Sequence, residues 1–145
     1  MRLYPPVPWG LPRITPKNGA TIAGHFVPEG TVVSVPHWAC YRSSRNFTDP
    51  DAFRPERFLD EAGFERDVRR AFQPFGVGHR DCVGRSLALA QARLVLANML
   101  LCFDVRPAPG CRPSDWTEGL TSYVGWHFPG LPVHLSPAND MKTTA

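Results

Sequence analysis

One stretch of this chain is free to form a long helix, and most of the rest is not. From Arg85 to Phe103 there is neither glycine nor proline, and Ala, Leu, Gln and Arg dominate, all strong helix formers. Leu87, Ala90, Leu94, Ala97 and Leu101 recur at intervals of three and four, one apolar stripe on a helix. Leu96 and Leu100 widen the stripe, which predicts a helix that is mostly buried. Outside this stretch the 16 prolines stand against an ordinary frequency of about 5%. They concentrate in residues 5–55 and 107–137, which predicts turns, loops and short strands there.

The proline-rich flank has its own signals. Residues 13–35 read as a small sheet, with Asn18-Gly19 the strongest hairpin signal in the chain. Thr31 to Val35 is a β-branched run after the turn at Pro28-Glu29-Gly30. Residues 36–46 predict a short helix. Residues 47–74 mix Pro, Phe and charge without period, and a loop of that length is functional or held by specific contacts. Residues 107–115 read as loop, and residues 120–135 as a terminal hairpin broken by Pro129-Gly130 and Pro132.

Composition narrows the function classes. Hydrophobic residues at 43% are enough for a core. The formal charge of +3, with no block of like charges, argues against a nucleic-acid partner. Arg66, Arg69, Arg70, Arg80, Arg85 and Arg93 form a looser basic cluster, read either as a solvated face or as a docking patch for an acidic protein. The cysteines Cys40, Cys82, Cys102 and Cys111 include no Cys-x-x-Cys pair, so a zinc ribbon is disfavoured and a reducing compartment fits better. Asn46-Phe47-Thr48 matches a glycosylation sequon of the kind common by chance. No apolar run reaches the length of about 20 residues that spans a bilayer.

The segment that carries chemistry is Phe75-Gly76-Val77-Gly78-His79-Arg80-Asp81-Cys82-Val83-Gly84. It puts a cysteine at the entry to the long helix, where the macrodipole and free N–H groups favour a thiolate. Glycines on both sides permit turns and remove side chains that would block a flat ligand. Phe75 can shield the sulfur, and Arg80 can pair with a carboxylate. A protected, electron-rich thiolate facing a large planar group suits a haem iron, where thiolate donation favours O–O cleavage. Rival readings fail on spacing. Gly78 and Gly84 enclose five residues where a phosphate loop has four, and Arg85-Ser86 replaces Lys-Ser. A dinucleotide fingerprint needs glycine where Asp81 stands. A cysteine hydrolase pairing Cys82 with His79 has poor geometry for a base. A structural buried cysteine is the commonest reading of any lone cysteine, and Phe75, Gly78, Arg80 and Gly84 around Cys82 oppose it.

Phe-x-x-Gly-x-Arg-x-Cys-x-Gly is the signature of the cytochrome P450 family, and Phe75, Gly78, Arg80, Cys82 and Gly84 match its fixed positions. Pro55-Glu56-Arg57-Phe58 resembles a second family element. Arg2 to Pro6 resembles the end of the family's Glu-x-x-Arg helix, and Leu11-Pro12-Arg13 the strand after it. Residues 37–39, 46–50 and 125–135 resemble fungal members. The resemblance implies that residues 1–145 are the C-terminal haem-binding portion of one such domain. The fold expected is mainly α with small β-sheets (α+β), a truncated cytochrome P450 fold.

The same resemblance implies haem b as cofactor, with Cys82 as axial ligand to the iron. It implies Phe75, Gly78, Arg80, Gly84 and Arg13 as cofactor-binding residues, with Arg80 and Arg13 on the propionates. It implies a monooxygenase that inserts one atom of O2 into a small hydrophobic substrate, with electrons from NADPH through NADPH–cytochrome P450 reductase. The basic cluster would dock that reductase. The location implied for a full-length member is the cytosolic face of the endoplasmic reticulum membrane, without an anchor in this chain. Residues 6–11 and 120–126 would contribute to the substrate wall, where Trp9 reads equally as packing or as specificity. One departure stands out: the glutamate that the family sets against Arg2 and Arg57 falls ahead of Met1. Two buried guanidinium groups without a carboxylate would be costly, and Glu56 is a candidate substitute. A haem binder without turnover, or an inactive fragment, is the alternative reading.

Overall fold

A computed structural model describes residues 1–59 and 61–138. In chain order the elements are β1 (Arg13–Ile14), β2 (Ala20–Ile22), β3 (His25–Val27), β4 (Val32–Val33), α1 (His37–Arg42), α2 (Arg85–Cys102), β5 (Phe103–Pro107), α3 (Pro113–Glu118), β6 (Thr121–Ser122), β7 (Trp126–His127) and β8 (Val133–Pro137). Single 3-10 turns occur at Pro55–Phe58, Arg69–Ala71 and Gly78–Arg80. Arg2 to Pro6, expected at the end of a helix, are irregular. The chain divides into two units, residues 1–74 with 122–126 and residues 75–121 with 127–145.

In the first unit the expected small sheet is two separate ribbons. β1 pairs antiparallel with β4, and β2 with β3. Asn18-Gly19 does make a tight turn, with φ of 72° and 76° and Gly19 N–H donating to Pro16 O at 3.0 Å. It joins strands of different ribbons, however. The hairpin proper turns at Ala23-Gly24, also at positive φ (50° and 83°), where β2 and β3 continue directly into a two-residue loop of the kind that matches strand twist.

The core of this unit is small and aromatic. Tyr41 is fully buried and Phe47 is 1% exposed. Tyr41 stacks on His37 and meets Phe72 edge-on, and its oxygen accepts the Gln73 N–H at 3.0 Å. Burial pushes the Tyr41 hydroxyl up to about 12, so it stays neutral. The long loop of residues 47–74 is held by specific contacts, as a loop of that length requires. Val68 N–H donates to Asn46 O at 2.7 Å, and Thr48 N–H to Asp67 Oδ1 at 2.7 Å. The Asn46 amide donates to Cys40 O at 2.9 Å, and its neighbour Phe47 is buried, so this sequon is occupied by packing.

In the second unit α2 ends one residue before its expected limit, because Phe103 opens β5. β5 pairs antiparallel with β8 from Phe103↔Pro137 to Pro107↔Val133. This pairing was not legible in the sequence, since Pro107 and Pro137 close the ribbon at its ends. Proline is tolerated at such edge positions. The region expected as loop contains α3, where Trp116 stacks on Phe128 at 5.2 Å and donates to Pro129 O at 3.1 Å. The expectation of a mostly buried α2 is not met. None of its residues is buried, and Leu87, Leu94, Leu96, Leu100 and Leu101 stand 59–73% exposed. Its apolar residues surround the axis, and a helix apolar on all sides needs neighbours on all sides.

Candidate functional site

The Phe75–Gly84 loop belongs to the second unit and is shaped by glycine. Gly76 and Gly78 sit at φ of 74° and 78°, values that other residues adopt only at a cost. The Cys82 N–H donates to Phe75 O at 2.8 Å, and Asp81 N–H to Gly78 O at 3.1 Å. These bonds fold the loop back so that its two ends meet in front of α2. Gly84 caps the helix, and Ala88 N–H donates to Gly84 O at 2.9 Å. The cysteine therefore lies at the start of the long helix α2, as expected.

The sulfur is open. Cys82 is exposed and its thiol is free. A methyl carbon added at Gly84 would stand 3.8 Å from Sγ, which puts the bare Gly84 Cα beside the sulfur. Gly78 has nothing within 4 Å of the same notional position. Phe75 is half-buried, with the Arg85 guanidinium 5.7 Å from its ring centroid. Arg80 is exposed at the end of the 3-10 turn. An exposed thiol flanked by glycines, with an arginine in the same loop, fits a large planar group bearing carboxylates. Arg13 lies in the other unit, exposed on β1 opposite Val33, and donates to Pro12 O at 2.9 Å.

The arginines at the two further motif positions are buried, and both find partners. Arg57 has its side chain 1% exposed. It forms an ion pair with Asp67, and its second terminal nitrogen donates to Thr48 O at 2.9 Å. Arg2 donates to the carbonyls of Tyr41 at 2.9 Å, Ala52 at 2.9 Å, and Pro50. Phe47 lies between them, 5.4 Å from the Arg2 guanidinium and 5.9 Å from that of Arg57. Glu56 does not substitute for the expected glutamate: its buried Oε2 has no hydrogen-bond partner among the described residues, and neither has Arg57 Nε. Asp67 does so for Arg57. It was missed because a pairing across ten residues of aperiodic loop leaves no pattern.

The basic cluster divides between the units. Arg66, Arg69 and Arg70 are exposed in the first, and Arg80, Arg85 and Arg93 in the second. Among the described residues no group of His, Cys, Asp and Glu is arranged to hold a metal ion by itself. Among the described residues one helix, α2, is long and apolar enough, by length and composition, to cross a membrane.

A cysteine in a glycine-built turn at the head of a long helix is the arrangement of haem-thiolate proteins. The family model of cytochrome P450 matches residues 1–127, and the chain belongs to that family. It is 49% identical over 136 residues to cytochrome P450 monooxygenase tpeC of Talaromyces stipitatus, covering 94% of this chain and 26% of that protein. It is 46% identical to averantin hydroxylase of Dothistroma septosporum, covering 99% of this chain and 27% of that protein. The fold is similar to a zebrafish cytochrome P450 solved with abiraterone (TM-score 0.74, 27% identity), over 95% of this chain and 30% of that one. The chain thus spans about a quarter of the length of these curated relatives.

Proposed function

We propose that this chain is the haem-binding, C-terminal portion of a single monooxygenase domain, in which Cys82 holds the iron of haem b. The observation that carries the reading is the open sulfur of Cys82 at the head of α2, inside a loop that matches the family signature at every fixed position. Helix position and backbone N–H groups stabilise an anionic sulfur. Phe75 limits water on one side. Arg80 would pair with a propionate, and Gly78 and Gly84 would leave room for the ring. Bound haem supplies reductive activation of O2 and insertion of one oxygen atom into an organic substrate. Electrons come from NADPH through a separate reductase, and the full-length protein works at the cytosolic face of the endoplasmic reticulum membrane. A small hydrophobic molecule is the substrate.

Reduced, CO-treated protein tests this. Thiolate ligation gives a strongly red-shifted Soret band, and Cys82→Ser abolishes the shift. An unaltered band in the Cys82→Ser variant overturns the assignment.

A further inference from the structure

The second unit holds an apolar hollow that the haem-thiolate reading does not use. Its base is the β5–β8 ribbon, where Pro107 pairs with Val133. One side is the turn after β5: Ala108 N–H donates to Pro132 O at 3.0 Å, and Cys111 N–H to Ala108 O at 3.0 Å. Another side is α3, through Trp116. The cavity measures about 270 Å³, and Val105, Pro107, Cys111, Trp116, Leu131 and Val133 line it. All six lie in the second unit, and none belongs to the Phe75–Gly84 loop.

The walls are fixed. Trp116 Nε1 donates to Pro129 O at 3.1 Å, and its ring stacks on Phe128 with an interplanar angle of 7°. An empty apolar hollow forfeits contacts that a close-packed interior makes, and fixed walls cannot collapse to recover them. The space suits a ligand: an apolar cavity of roughly 150 Å³ takes up benzene, so a fused pair of rings fits this larger one. The lining sets the chemistry. Aliphatic side chains and an indole surround a half-buried thiol, and sulfur makes favourable contacts with ring edges. Charge is turned away. Side chains alternate along a strand, which sets those of Asp104 and Arg106, with cross-strand His134, on the ribbon face opposite Val105 and Pro107. Arg106, which also borders the hollow, therefore does so with its main chain. A carboxylate entering here loses its hydration and gains no partner.

We infer that this hollow is a binding site for a neutral, fused-ring aromatic molecule, built without any residue of the Cys82 loop. The probes are naphthalene and its anionic relative 2-naphthoate. The readout is alkylation of each cysteine of the 145-residue chain by N-ethylmaleimide, followed by peptide mass spectrometry. Naphthalene at twice its dissociation constant slows modification of Cys111 about threefold, as one-site occupancy requires. It leaves the exposed Cys82 unchanged, and 2-naphthoate at the same concentration protects neither. Leu131→Trp, which fills the hollow, removes the protection, and Val133→Phe does so by a smaller and independent change. Leu94 and Leu101 of α2 replaced together by Gln leave the protection in place, as does Cys82→Ser, so the result stands apart from the haem-thiolate reading. Equal rates at Cys111 with and without naphthalene, or equal protection of Cys82, overturn the site. Protection that survives both filling variants overturns it too. Equal protection by 2-naphthoate overturns the neutral class of ligand.

Discussion

Arg57 and Asp67 oppose each other with both side chains 1% exposed, so each depends on the other. Removing one partner of a buried ion pair leaves an uncompensated charge. Asp67→Asn is therefore expected to cost about 3 kcal/mol of stability, read from urea unfolding at pH 7. The pH dependence has a definite sign. Burial pushes the Asp67 carboxyl up, but the Thr48 bonds and the Arg57 pair outweigh it and hold the group below the usual carboxylate range. A depressed carboxyl contributes stability that is fully present above its unfolded value of about 3.9 and is lost as pH falls through the folded value. The gap between the parent and Asp67→Asn should close on acidification below about pH 4. A gap independent of pH would show that the charge of Asp67 is not what matters. Arg2 is a different case: three carbonyls satisfy it, with burial first and then the Arg57 charge lowering its pKa.

At the scale of elements, two glycines at similar φ separate conformation from contact. Gly24 sits at 83° in the β2–β3 turn with nothing within 4 Å of a notional Cβ. Gly10 sits at 70°, and a Cβ there would lie 2.1 Å from Val35 O. Gly24→Ala is expected to cost about 1 kcal/mol, the left-handed penalty alone. Gly10→Ala adds steric overlap with backbone that cannot yield, for a total of about 3 kcal/mol. Denaturant midpoints of the two variants check this, and equal losses would mean that the Gly10–Val35 approach is not maintained in solution. The element most legible in sequence was α2, since nothing interrupts its helix-forming run. Its exposure was not legible, because periodicity reports which residues could be buried and not whether a neighbour is present. The β5–β8 pairing was equally hidden: strand partners some 30 residues apart share no local signal.

Seen as a whole, the second unit leaves an apolar helix open, with Leu87, Leu94, Leu96, Leu100 and Leu101 of α2 all exposed. Patches of that extent mark surfaces meant to be covered. The 145-residue chain by itself is expected to bind a hydrophobic reporter dye such as 8-anilinonaphthalene-1-sulfonate strongly at neutral pH. Substituting Leu94 and Leu101 together by Gln should lower that fluorescence without lowering the urea midpoint by more than about 1 kcal/mol equivalent. A weak dye signal would mean that α2 is covered in solution.

Local chemistry was written in the sequence. Glycine and proline placement confined the long helix to Arg85 onward, and the spacing around Cys82 marked the loop before it, because turns and helix starts depend on neighbours a few residues away. Tertiary structure decided the rest: that Asp67 rather than Glu56 answers Arg57, that Asn18-Gly19 joins two ribbons instead of closing one, and that α2 lies open. Each of these depends on which distant groups meet and on what water they exclude, and no local pattern encodes that.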